Sequence, residues 1–285
     1  MTMKIITACL DGSTGAKAVC DAGVWAAKKL EAPLQLLHVL EKESLPPSGD
    51  LSGTIGFGSR QRLLEQLVLL DAEKSRIGRE HGEALLAEAR NLAEQSGMTD
   101  LTTLQLHGSL VETLTDLEPE IRLAVMGRKG ELHGTANHAI GSHLEHAIRT
   151  LHCPVLVVMQ EFHVPTRFMI AFDASPTSRK ALDMVLASPL LLGCECHIVM
   201  AGKAAMTHPA YLEAATRDLK EKGFKTTSAL LEGTAAEAIG NYAATNQIEL
   251  MVMGAYGHKP IRRFLVGSTT TRMLAETTIP LLILR

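Results

Sequence analysis

Five short apolar segments occur twice, in the same order, along this chain. Ile5-Ile-Thr-Ala-Cys-Leu-Asp11-Gly-Ser13 answers to Phe168-Met-Ile-Ala-Phe-Asp173-Ala-Ser175, and Pro33–Val39 answers to Cys194–Met200. Leu104–Glu112 matches Leu230–Ala238, Leu123–Gly127 matches Leu250–Gly254, and Cys153–Val158 matches Ile279–Leu284. A chain that repeats itself over half its length folds twice into one unit. Each repeated segment is a short apolar run bounded by Gly, Pro or Asp, which favours buried strands. Longer stretches between them have helical spacing, such as Ala16 to Leu30 and Glu83 to Gln95. Strands alternating with helices predict an α/β fold. It is two tandem doubly wound domains, each a five-stranded, mostly parallel sheet with helices on both faces. The 285 residues suit two units of about 100–200 residues each. The expected domains are 1–162 and 163–285, divided where polar residues and Pro165 interrupt the pattern near Gln160 to Thr166.

The copies are unequal. Asp11 to Gly108 covers 97 positions, whereas Asp173 to Gly233 covers 60. The first half thus carries an insertion, about 41–78, between its second strand and second helix. It opens with Leu45-Pro-Pro-Ser-Gly49 and continues through Gly53, Gly56 and Gly58, a loop composition. Leu63, Leu64, Leu67 and Leu70 then follow at helical offsets. Two roles are open: a helix lengthened to cover the sheet or a subunit interface, or a lid over a ligand.

The chemistry concentrates in one loop. Met253-Gly254-Ala-Tyr-Gly257 is followed by nine residues and then Gly267-Ser268-Thr269. Gly254 and Gly257 permit positive φ and close backbone approach to a ligand. Gly267-Ser268-Thr269 opens a helix, whose free N–H groups and dipole suit an anion. Ser268 and Thr269 add hydroxyl donors. His258, Lys259, Arg262 and Arg263 in the loop can offset phosphate charge or form a plain solvated basic loop. In the first half, Met126-Gly127-Arg-Lys-Gly130 precedes Gly141-Ser142 by ten residues, not nine. That changes the reach of the loop.

The sequence Gly254-x-x-Gly257-x9-Gly267-Ser268, between family-like strands, resembles the ATP loop of the universal stress protein family. The resemblance covers nearly the whole chain, apart from the insertion. It implies an ATP-binding tandem member, with ATP (and Mg as a candidate companion) acting as a regulatory or stabilising ligand in a stress response. It also implies Asp173 beside the ribose and adenine, and the Met200 backbone on the adenine edge, although Asp173 can instead cap the next helix. Asp11 and Val39 hold the matching positions of the first half, with Gly127, Gly130, Gly141 and Ser142 as its phosphate loop. Family dimers pair their last strand. The apolar ends Pro154–Val158 and Pro280–Leu284 are therefore expected to join the halves as an intramolecular pseudo-dimer, and a further homodimer is compatible with this.

Other classes find little support. A net charge of −3 offers no global field for nucleic acid or an anionic membrane. There is no P-loop, no dinucleotide fingerprint and no nucleophile elbow, so no catalytic residues are assigned and ATP hydrolysis would at most be slow. Five scattered cysteines suggest reduced thiols, and Cys194-x-Cys196 lacks further metal ligands. His143 and His146 share a helical face but lack a completing carboxylate or cysteine, so no metal site is expected. The amino-terminal sequence has no signal-like blocks, which points to the cytoplasm. Two alternatives are a nucleotide-independent interaction protein and an adenine-nucleotide-using transferase.

Overall fold

The structure is a computed structural model that describes residues 3–41, 57–128, 141–202, 209–254 and 268–285, with only the backbone of 57–65, 142, 268 and 269. The first half runs β1 (Ile5–Cys9), α1 (Ala16–Leu30), β2 (Leu34–Leu40), α2 (Phe57–Gln95), β3 (Leu101–His107), α3 (Leu110–Leu117), β4 (Ile121–Gly127), α4 (Ser142–Thr150) and β5 (Val155–Val158). The second runs β6 (Arg167–Ala171), α5 (Pro176–Ala187), β7 (Glu195–Ala201), α6 (Pro209–Glu221), β8 (Thr226–Leu231), α7 (Ala235–Thr245), β9 (Leu250–Gly254), α8 (Ser268–Glu276) and β10 (Leu281–Leu284).

The ten strands form one sheet in the order β3-β2-β1-β4-β5-β10-β9-β6-β7-β8. Within each half every pairing is parallel; only β5 and β10 meet antiparallel, Leu281 opposite Val157 and Ile283 opposite Val155. The two most apolar short strands, Val155-Leu-Val-Val158 and Leu281-Leu-Ile-Leu284, are fully buried by this pairing. Each would otherwise be an open apolar edge. The true edges, β3 and β8, carry threonines and exposed positions.

One apolar core lies on each face, and both cross the seam. The first gathers α1, α2, α5 and α6 against residues such as Ile6, Leu156, Phe168 and Leu282. The second gathers α3, α4, α7 and α8 around Ala124, Val157, Met251 and Ile283. Two arginines span the seam reciprocally. Arg128 Nη1 donates to the carbonyls of Thr277 (2.6 Å) and Ala275 (3.4 Å) at the end of α8, and Arg285 Nη1 donates to those of Arg149 (2.5 Å) and Leu151 (3.3 Å) at the end of α4. Each guanidinium meets the negative end of the other half's helix dipole.

The helical part of the insertion is continuous with the second helix, as a lengthened helix would be, and makes α2 a 39-residue helix. Leu86, Ala89 and Ala93 bury against the sheet, whereas Leu67, Val68, Leu69 and Leu70 are exposed. Residues 67–70 of α2 therefore do not cover the sheet. The loop residues 42–56, Leu45, Gly53 and Gly56 among them, lie outside the described residues.

Candidate functional site

In each half the chain leaves its first strand for one side of the sheet and returns to the other side for its fourth. The switch point lies between β1 and β4, and again between β6 and β9. Parallel sheets bind ligands in the crevice beyond the carboxyl ends of such a pair.

At the second switch point Ala171 is level with Met253, so Asp173 and Gly254 emerge side by side. Asp173 does not cap α5: that role belongs to Ser175, whose Oγ accepts from Ser178 N at 3.2 Å. Asp173 Oδ1 instead accepts from Ser175 N at 3.0 Å, and Ala174 between them takes φ +59°. This turn keeps the carboxylate beside the crevice. Pro176 at the first helical position presets α5.

Gly254 departs from the sequence reading. It ends β9 and is absent from the positive-φ glycines. A Cβ there would lie 3.0 Å from the carbonyl carbon and oxygen of Thr177. The glycine is needed because the first turn of α5 packs backbone to backbone against the end of β9. This brings Thr177 and Ser178, which the sequence reading did not single out, to the crevice wall; only the Ser-Pro start of the helix hinted at them.

Met200 is buried in β7 opposite Leu230. The adjacent strand β6 pairs only as far as Ala171 with Val199, and Phe172 N takes Val199 O at 2.9 Å. Beyond that point, among the described residues, no β6 residue pairs with Met200, whose backbone on that side offers an edge for a planar ligand. Gly202 (φ +66°) and Gly233 (φ +98°) follow β7 and β8 in the left-handed region, and form a rim that sequence reasoning also missed. Ser268 and Thr269 begin α8. Gly257 and Gly267 lie outside the described residues, as do His258, Lys259, Arg262 and Arg263.

The first switch point repeats part of this arrangement. Asp11 Oδ1 accepts from Ser13 N at 3.1 Å, repeating the Asp173 turn, and His38 Nδ1 lies 2.9 Å from Leu10 O beside Val39. Gly127 ends β4, but the Gly141 amide already donates to Arg128 O at 3.1 Å. Glu41 places one oxygen 3.3 Å from Leu110 N at the start of α3 and the other 3.1 Å from His143 Nε2 in the first turn of α4. A carboxylate thus already accepts from the start of α3 and pairs with a side chain in the first turn of α4. Gly130 and the Ser142 side chain lie outside the described residues. Among the described residues no cluster of three or more His, Cys, Asp or Glu stands ready to hold a metal, and no helix is long and apolar enough to cross a membrane.

The model of the universal stress protein family matches this chain twice, over residues 2–159 and 165–285. The chain belongs to the universal stress protein family. A universal stress protein of Synechocystis sp. is 34% identical over 99% of this chain and 100% of its own length. The crystal structure of a universal stress protein from Archaeoglobus fulgidus superposes with a TM-score of 0.74 at 17% identity, covering 100% of this chain and 99% of that one. Another universal stress protein, 21% identical and covering 43% of this chain and 98% of its own with a TM-score of 0.37, was solved in complex with cAMP.

Proposed function

We propose that this universal stress protein binds ATP in the crevice of its second half, as a regulatory or stabilising ligand in a cytoplasmic stress response. The observation that carries the reading is the coincidence of motif and switch point. The Gly254-x-x-Gly257-x9-Gly267-Ser268 spacing leaves β9 beside Asp173 and re-enters the fold at the start of α8. In this reading Asp173 takes the ribose, the Met200 backbone the adenine edge, and Met253 to Gly257 with Gly267, Ser268 and Thr269 the phosphates. Magnesium, if it accompanies ATP, adds charge compensation along the phosphate chain.

The first half is the weaker site. Its loop is one residue longer, its Gly141 amide is engaged, and Glu41 brings negative charge to His143 in the first turn of α4. Replacing Gly267 with Val obstructs backbone approach. Losing a phosphate hydrogen bond costs about 1.5–3 kcal/mol, so affinity falls at least about tenfold. Gly141→Val should reduce total binding less. Titration calorimetry with ATP on both variants, with mass spectrometry of nucleotide released from the purified protein, tests this. Loss of binding in the Gly141 variant but not the Gly267 variant would reverse the ranking.

A further inference from the structure

A cavity of about 700 Å³ opens between the two halves, at the amino ends of β1, β4 and β5 and beside the carboxyl end of β10. Leu30, Val185, Leu190, Leu191, Leu282 and Leu284 line it, and Lys4 and Arg122 stand on its wall. None of the residues assigned to nucleotide borders it.

The repeat shows how the two sides of the pseudo-twofold differ at this cavity. Trp25 follows Asp11 by the same fourteen positions that separate Ala187 from Asp173. In the first half Trp25 is buried and packs on Phe162, ring centroids 5.5 Å apart. Ala187 puts a methyl group where its counterpart has an indole, and Ala187 lines the cavity.

The polar groups have diverged in the same way. Lys4 and Arg122 correspond in the repeat to Thr166 and Glu249. In the second half those two satisfy each other: Glu249 Oε2 accepts from Thr166 N at 2.6 Å and Thr166 Oγ1 at 2.8 Å. In the first half the same positions hold two cations. The register between β1 and β4 shifts here, Ile5 facing Ile121 but Ile6 facing Leu123. Arg122 is therefore the extra residue of a bulge, a feature that redirects a side chain. Among the described residues Arg122 makes one hydrogen bond, Nη1 to Leu30 O at 2.9 Å, leaving further donors of its fork unused. Lys4 makes none among them.

One carboxylate shares this wall. Burial raises the pKa of Glu118, but the amides of Cys153 and His152 and the His152 ring outweigh that and hold it below the usual range. It is ionised and already occupied by those amides. Two cations against one committed carboxylate call for a single negative charge, and the leucine-rich remainder calls for an apolar body. The volume suits a small organic molecule.

We propose that this cavity binds an organic monocarboxylate with an apolar body, its carboxylate between Lys4 and Arg122 and its body against the leucines of both halves. Calorimetric titration of the full chain with decanoate, below its micelle concentration, tests this against decanol and decylamine. One decanoate should bind per chain, with decanol and decylamine at least about tenfold weaker. Arg122→Glu and Lys4→Glu, which alter side chains at the cavity mouth, should each weaken decanoate at least about tenfold. Ala187→Trp, which restores the residue of the other half, should abolish binding while circular dichroism reports an unchanged fold. If Ala187→Trp fails to fold, the two charge reversals decide alone. No decanoate binding, equal binding of decylamine, or unaltered binding in the charge-reversed variants would overturn the proposal.

Discussion

His197 shows how a single side chain couples this fold to pH. It lies in β7 at 6% exposure, with Nδ1 2.9 Å from the Tyr242 hydroxyl and Nε2 without a hydrogen-bond partner among the described residues, 3.8 Å from Glu195 Oε1. Burial is the largest influence on it and draws its pKa below 6.5; Glu195 opposes this, while Arg167 and Lys225 add to it. The unfolded chain takes up a proton near pH 6.5, whereas the folded chain stays neutral to lower pH. More protons bound in the unfolded state means that stability falls as pH falls. The contribution is therefore complete above about 6.5 and is lost between that value and the lower folded one. Urea unfolding at pH 7.5 and 5.5 checks it: His197→Gln should lose less stability between the two than the unaltered chain. Equal losses would remove His197 from the account. Burial also pushes the thiols of Cys9 and Cys153 up to about 12 and that of Cys20 to about 11. Cys9 and Cys20 are core residues in the folded protein, and half-buried Cys153 packs against the core.

Among the elements, α2 separates what was legible in sequence from what was not. The leucine spacing announced a helix, and the apolar runs announced all ten strands, because periodicity is a local property. Where that helix would lie depended on contacts distant in sequence. Gly82 is one such place, since a Cβ there would stand 2.5 Å from His38 Cδ2 and 2.6 Å from Gln105 Nε2. Gly254 is another, required by Thr177 on a different helix, so its motif was readable but its packing reason was not. The two helical glycines of α2 give opposite expectations. At Gly78 a Cβ would meet only Leu40 Cδ2, at an ordinary 3.4 Å, so Gly78→Ala should stabilise by about 0.5–1 kcal/mol. Gly82→Ala must displace the His38 ring from Leu10 O and should destabilise by about 1–3 kcal/mol. Denaturant midpoints of the two variants read this directly. Destabilisation by Gly78→Ala together with stabilisation by Gly82→Ala would mean that α2 does not dock on β2 and β3 as described.

The whole molecule has one sheet, two cores that each cross the seam, and reciprocal arginine clasps. Two domains linked only by chain would unfold separately; this arrangement ties them. Separating the halves would expose β5 and β10 along their full length and leave the Arg128 and Arg285 guanidinium groups without their carbonyl partners. The chain is therefore expected to unfold in a single transition. It carries a built-in reporter, because its one tryptophan, Trp25, belongs to the first half. Trp25 fluorescence follows that half alone, while far-ultraviolet circular dichroism follows both, and the two denaturation curves should coincide. Arg128→Ala removes a charged donor from two helix-terminal carbonyls and should cost about 1.5–3 kcal/mol. The cooperative account requires it to shift both curves together, although the carbonyls it loses belong to the second half. A fluorescence curve that stays in place while the dichroism curve moves would show that the halves fold independently.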